Sequence, residues 1–152
     1  MDNKTKLEER VEAYVQDYIS RNRAAQIAKG LLDAAGIGVR PVVDHITIRT
    51  YNIDQRAQEF VELGYACSEA VEYSDWHAKV YRAPGFPALF VDQAYDDDRG
   101  TTSVIPRWVD QFGDQTLHHI AILVEDIEAA LHRLQHKGIT FAGSILGEKG
   151  DV

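Results

Sequence analysis

The chain has 152 residues, 45% hydrophobic and 26% charged, with a formal net charge of −8, a composition that suits one domain with a real core or two small modules sharing one. The acidic balance and the lack of any Lys/Arg cluster argue against nucleic acid, no apolar run approaches the roughly 20 residues that span a bilayer, and the charged start MDNKTKLEER has no apolar signal core. The single cysteine, Cys67, excludes an intrachain disulfide and a cysteine-based zinc site, and together these features point to the cytoplasm.

Residues 5–19 carry Leu7, Val11, Tyr14, Val15, Tyr18 and Ile19 on one stripe, which predicts an amphipathic helix. A second helix is expected from about Arg23 to Ala35, burying Ile27, Leu31 and Leu32 and stopping at Gly36. Residues 42–50 then read as a strand rich in β-branched residues. The stretch YNIDQRAQEFVELGY follows as a helix, with Ala57, Phe60 and Val61 at helical spacing and Gly64 as terminator. Residues 66–93 read as strands broken at Ala83-Pro84-Gly85-Phe86-Pro87. The aspartates Asp96, Asp97 and Asp98 lack the spaced oxygens of a calcium loop and read as a solvated turn before a connector containing Trp108 and Phe112.

The stretch from Leu117, LHHIAILVEDIEAALHRLQHKGIT, lies without a gap under residues 43–66, VDHITIRTYNIDQRAQEFVELGYA, at an offset of 74. His45 falls on His119, Ile46 on Ile120, Ile48 on Ile122, Ile53 on Ile127 and Gly64 on Gly138, with Asn52 and Asp126 as equivalent helix N-caps. Only five of 24 positions are identical, so the weight rests on the repeated order of strand, cap, helix and terminal glycine. Strand side chains alternate, so His45, Thr47 and Arg49 share one face and Ile46 and Ile48 the other. Two such modules paired about a pseudo-twofold axis would bring His45 and His119 together, and two imidazoles from different strands are half of a transition-metal site.

The fold class this predicts is α+β: paired β-α-β-β-β modules with an N-terminal helical extension. The expected layout is residues 1–40 as N-terminal helices, 41–100 as the first module, 101–116 as connector and 117–152 as an incomplete second module, ending after a strand near Ile139–Ile145. An open edge on such a module would favour homo-oligomers. His118 is expected on the opposite face from His119, as a packing residue or one that supports a ligand from behind. His77, Lys79 and Tyr81 share a face of another strand, and His77 and Tyr81, with Thr47, are candidates for lining the cleft, with a position on its rim equally open to His77. His132 and His136 lie four apart on a helix and read as a solvated face.

A paired module with a histidine on each first strand is similar to the vicinal oxygen chelate superfamily of glyoxalases and dioxygenases. The blocks VVDHITIRTYN, HAKVYR with FPALFV, and LHHIAILVEDI resemble most the 2-oxoadipate dioxygenase/decarboxylase family, also called 2-hydroxyglutarate synthases. The resemblance implies a mononuclear Fe(II) held by His45, His119 and one carboxylate, with Arg49 as the binder of a substrate carboxylate. It implies conversion of 2-oxoadipate and O2 to 2-hydroxyglutarate and CO2. The family's third ligand is a glutamate on the last strand of the second module, and no residue here inherits that role; Asp92 is the local substitute. Two other readings stand beside it: a glyoxalase-type isomerase or lyase using another divalent metal, and a non-catalytic small-molecule binding protein.

Overall fold

The computed structural model describes residues 1–143. Helix α1 (Asn3–Arg21) starts where the Asp2 side chain accepts from the Thr5 amide, and it buries Leu7, Val11, Tyr14, Val15 and Ile19. Asn22 adopts an extended conformation that ends α1, and its side chain caps α2 (Arg23–Ala34). One residue thus breaks and restarts the helix. The expected burial of Ile27, Leu31 and Leu32 is only partial. No residue of α2 is fully buried, because α2 packs on α1 at the margin of the core, with Ala25 and Leu32 reaching it.

Strand β1 (Val43–Arg49) leads through the Asn52 cap into α3 (Ile53–Leu63), which Gly64 ends at φ +124°. Three strands follow: β2 (Ala66–Glu72), β3 (Trp76–Arg82) and β4 (Ala88–Ala94). The connector folds as a helix, α4 (Ile105–Phe112), with a proline in its first turn. Strand β5 (His119–Ile122) and α5 (Ile127–His136), capped by Asp126, complete the described chain. Residues 139–143 form no strand, and residues 144 and 145 of the strand expected near Ile139–Ile145 lie outside the described residues. Among the described residues no helix is long and apolar enough to cross a membrane.

The strands form one sheet in the order β2-β3-β4-β1-β5, with β1 parallel to β4 and all other neighbours antiparallel. The fold is therefore the expected mixed α+β class with an N-terminal helical extension. The internal repeat appears in the register of β1 against β5. Ile46 pairs with Ile120, its own repeat equivalent, while His45 pairs with Ala121 and Thr47 with His119. A local twofold axis through the Ile46–Ile120 pair generates that cross-pairing, so each histidine sits diagonal to the other on one face.

Helices α1 and α3 cover the opposite face. Ile46, Ile48, Leu89, Val91 and Tyr81 meet Leu7, Val11, Val15, Ala57 and Phe60 there, each large aliphatic chain contributing roughly 1.5–3 kcal/mol by leaving water. Arg56, only 7% exposed, ties these layers together. Its guanidinium donates to the Tyr14 hydroxyl, to the Glu59 carboxylate, and to the Asp114 carbonyl oxygen at 2.6 Å.

Candidate metal centre

The second face of the sheet holds the polar residues. His45, Thr47 and Arg49 project from β1 beside their partners Ala88, Phe90 and Asp92 on β4. Helix α4 covers one end of this face, packing Ile105 and Val109 against Ala94. It is held down by Tyr51, whose hydroxyl donates to Asp110, and by Thr50, whose hydroxyl donates to Asp114 at 3.1 Å in the turn that follows. The anchors place Trp108 with its ring centroid 5.8 Å from the Arg49 guanidinium carbon.

His45 and His119 come together with ring centroids 5.5 Å apart and planes nearly perpendicular. The Asp44 carboxylate lies 2.9 Å from His45 Nδ1. A carboxylate there holds the proton on Nδ1 and leaves Nε2 as the lone-pair nitrogen. His119 has a partner at each nitrogen: Thr47 Oγ1 at 3.0 Å from Nε2, and His118 Nδ1 at 2.8 Å from Nδ1. His118 precedes β5 and does not alternate with it. It turns onto the face of His119 and sets its ring edge-on to Trp108, not onto the core side expected from strand alternation. Leu117 takes the core position instead.

Burial pulls His119 down to about 4, with His45 and Arg49 acting in the same direction, and burial likewise pulls His118 down to about 4, helped by Arg49 and His119. Both imidazoles are neutral at pH 7. A histidine whose folded pKa is depressed contributes stability above its unfolded value that is lost as pH falls through the folded one. The unfolding free energy of wild type relative to His118→Asn is therefore expected to fall between pH 6.5 and 4, by at most about 1.4 kcal/mol per unit. Urea unfolding of both proteins at pH 7 and pH 4.5 checks this; a constant difference contradicts it.

The pair suits two positions on a first-row divalent ion. Neutral imidazole is the ligating form. Two imidazoles bound to one ion at ~2.1 Å place their ring centroids about 5 Å apart, close to the 5.5 Å between His45 and His119. Ligation through His119 Nε2 requires release of the Thr47 hydroxyl, a neutral bond worth about 1 kcal/mol. No third His, Cys, Asp or Glu joins the two among the described residues. Asp92 does not fill that place. It pairs with Arg49, whereas Ala88 pairs with His45, and four strand residues separate the two positions by about 13 Å.

The remaining candidates divide by face. Thr47 lies between the histidines and is 2% exposed. His77 and Tyr81 share a face as expected, but not the histidine face. Ala78 is the β3 residue in register with Asp92, so its neighbours in sequence turn to the helices. Tyr81 is in the core, His77 stacks on Tyr95 with centroids 5.0 Å apart, and Lys79 pairs with Asp54 of α3 at 2.6 Å. They do not line the cleft. His132 and His136 fall on exposed positions of α5. Trp108 and α4 were not anticipated, although Pro106 in a first turn and Ile105, Val109 and Phe112 at spacings of four and three are a helix signal.

The model of the Glyoxalase/Bleomycin resistance protein/Dioxygenase superfamily matches residues 44–151. A crystal structure from Shewanella frigidimarina, described provisionally as a hydrolase, is similar at a TM-score of 0.71 and 19% identity, covering 87% of this chain and 73% of its own. At that identity the likeness is one of fold. No curated protein matches the sequence.

Proposed function

Because the chain belongs to the glyoxalase/bleomycin resistance protein/dioxygenase superfamily, we propose that it is a metal-dependent enzyme acting on a 2-oxo acid, an Fe(II) dioxygenase that converts 2-oxoadipate and O2 to 2-hydroxyglutarate and CO2. The observation that carries this reading is the sharing of one sheet face by His45, His119 and Arg49. The histidines would hold the ion, and Arg49 would take a carboxylate further along the strand. The arginine's Nε is buried and has no hydrogen-bond partner among the described residues. A buried N–H of this kind is costly to leave unmade, and a ligand carboxylate is the acceptor that fits a guanidinium.

The reaction balances without an outside reductant. C1 of the 2-oxo acid leaves as CO2, C2 becomes the new carboxylate with one oxygen of O2, and C3 receives the other as a hydroxyl. Iron, when bound, supplies the oxygen chemistry. The protein's own residues do the positioning. His45 is oriented by Asp44 and His119 by His118. Arg49 fixes the far end of an extended diacid, and Trp108 walls the side of Arg49. Holding the substrate by both ends limits the conformations from which C3 can react.

Arg49→Lys is expected to weaken binding of 2-oxoadipate by about 1.5–3 kcal/mol, or roughly 10- to 150-fold, because lysine keeps the charge and loses the fork. A monocarboxylic 2-oxo acid should bind both proteins alike. Calorimetric titration of each acid checks this, and equal affinities of wild type and variant for 2-oxoadipate remove Arg49 from the site. Oxygen uptake by the iron-loaded protein across a panel of 2-oxo acids tests the activity itself. Turnover highest with a dicarboxylic acid is expected, and none with any member contradicts the dioxygenase reading.

One observation favours a second reading, a small-molecule binding protein without catalysis: no group of three or more His, Cys, Asp or Glu that could hold a metal forms among the described residues. Binding of the diacid with no metal requirement and no oxygen uptake would select it.

A further inference from the structure

Asp92 is the most buried ionisable carboxyl in the sheet, at 6% exposed. Its Oδ1 is fully enclosed and has no hydrogen-bond partner among the described residues, and the same holds for Nε of Arg49, its in-register neighbour across β1 and β4. The two side chains form no salt bridge with each other. A buried carboxylate beside a free guanidinium gains most by closing onto it. These instead leave two orphaned polar atoms on one face, under the edge of α4. One ligand group satisfies both: a carboxylate, which accepts from the Arg49 N–H with one lone pair and from a carboxylic O–H with another.

We propose that Asp92 is the second half of the Arg49 subsite, a neutral carboxyl that donates a hydrogen bond to the same ligand carboxylate, so that the subsite takes up the ligand together with one proton. The inference rests on the reading that Arg49 binds an acidic ligand, and it adds a residue, a protonation state and a specificity. An ionised Asp92 would repel a carboxylate, whereas a neutral one prefers it to an apolar end of the same size.

The surroundings agree. Burial raises Asp92 to about 7, with Arg49 pulling the other way, so the neutral form is populated at and below neutral pH. Arg49 from β1 is the one charged group that acts on Asp92. β3 presents Ala78 opposite it, Arg107 and Asp110 of α4 are exposed, and His118 and His119, which feel the Arg49 charge, stay neutral.

The test titrates the zinc-loaded 152-residue protein calorimetrically with 2-oxoadipate and with 2-oxohexanoate, which lacks the second carboxylate. Each titration is run at pH 6, 7 and 8.5 in two buffers of different protonation enthalpy. Wild type should take up close to one proton with 2-oxoadipate at pH 8.5 and none with 2-oxohexanoate, and its affinity for 2-oxoadipate should fall about fifteenfold from pH 7 to 8.5. Asp92→Asn, whose amide donates at every pH, should keep the pH 6 affinity within a few fold and lose both the proton uptake and the pH slope. Binding of 2-oxoadipate by wild type without proton uptake, or an unchanged slope in Asp92→Asn, overturns this inference and leaves the assignment of Arg49 standing. Failure of wild type to prefer 2-oxoadipate over 2-oxohexanoate at any pH overturns both.

Discussion

Replacing His119 with alanine is expected to lower divalent-metal affinity at least a hundredfold, and His45→Ala to do the same. Each removes one of two imidazole donors that meet at 5.5 Å between ring centroids, and no group of three or more His, Cys, Asp or Glu that could hold a metal forms among the described residues. His118→Ala provides the contrast. His118 touches His119 through Nδ1 and orients it without being placed as a donor. Loss of such a supporting bond typically costs 10- to 100-fold, so His118→Ala should retain measurable binding where the other two lose it. Equilibrium dialysis of the three variants against one divalent ion ranks them. Equal affinity of His119→Ala and wild type would move the site elsewhere.

Arg56→Ala is expected to destabilise the fold by about 3 kcal/mol, the lower end of the range for breaking a buried ion pair, because its partner Glu59 keeps a quarter of its side chain in solvent. The deletion removes the shared donor of three acceptors at once, the Tyr14 hydroxyl of α1, the Glu59 carboxylate of α3 and the Asp114 carbonyl after α4, and leaves Glu59 with Arg10 and Tyr14 as its remaining donors. It also removes the guanidinium stacked over the Tyr14 and Phe60 rings, 5.6 and 5.7 Å from their centroids. Tyr14→Phe, which leaves the ion pair intact, should cost only about 1 kcal/mol. Urea unfolding of the three proteins separates these effects. A loss under 1 kcal/mol for Arg56→Ala would mean that the network adds little beyond the apolar core.

What could be read from the residues follows from what is local. Alternation within β1 and the gapless offset between the halves were enough to place His45 and His119 at equivalent points of two strands. The observed register then brings them together through a pairing of Ile46 with Ile120. Alternation does not say which side of the sheet a shared face looks to. His77, Lys79 and Tyr81 were therefore legible as a set, yet their side depends on the pairing of Ala78 with Asp92. Asp92 itself was misplaced for the same reason. Its distance from His45 is set by the parallel register of β4 against β1, a contact across more than forty residues of chain that no local pattern encodes. The Arg56 network was invisible because each partner is remote: Tyr14 lies 42 residues away and Asp114 58. Helix α4 did leave a trace in Pro106 and its apolar spacing, obscured by an eight-residue length too short for strong periodicity.

The central claim is that His45 and His119 act together as metal donors. It is tested most directly by anaerobic equilibrium dialysis of the protein against Fe(II), with and without 2-oxoadipate. The account predicts one iron per chain, held more tightly when the acid is present, and lost in both His45→Ala and His119→Ala. Iron bound equally well by wild type and by either variant, or no binding by wild type at any supply in the presence of the acid, would contradict it.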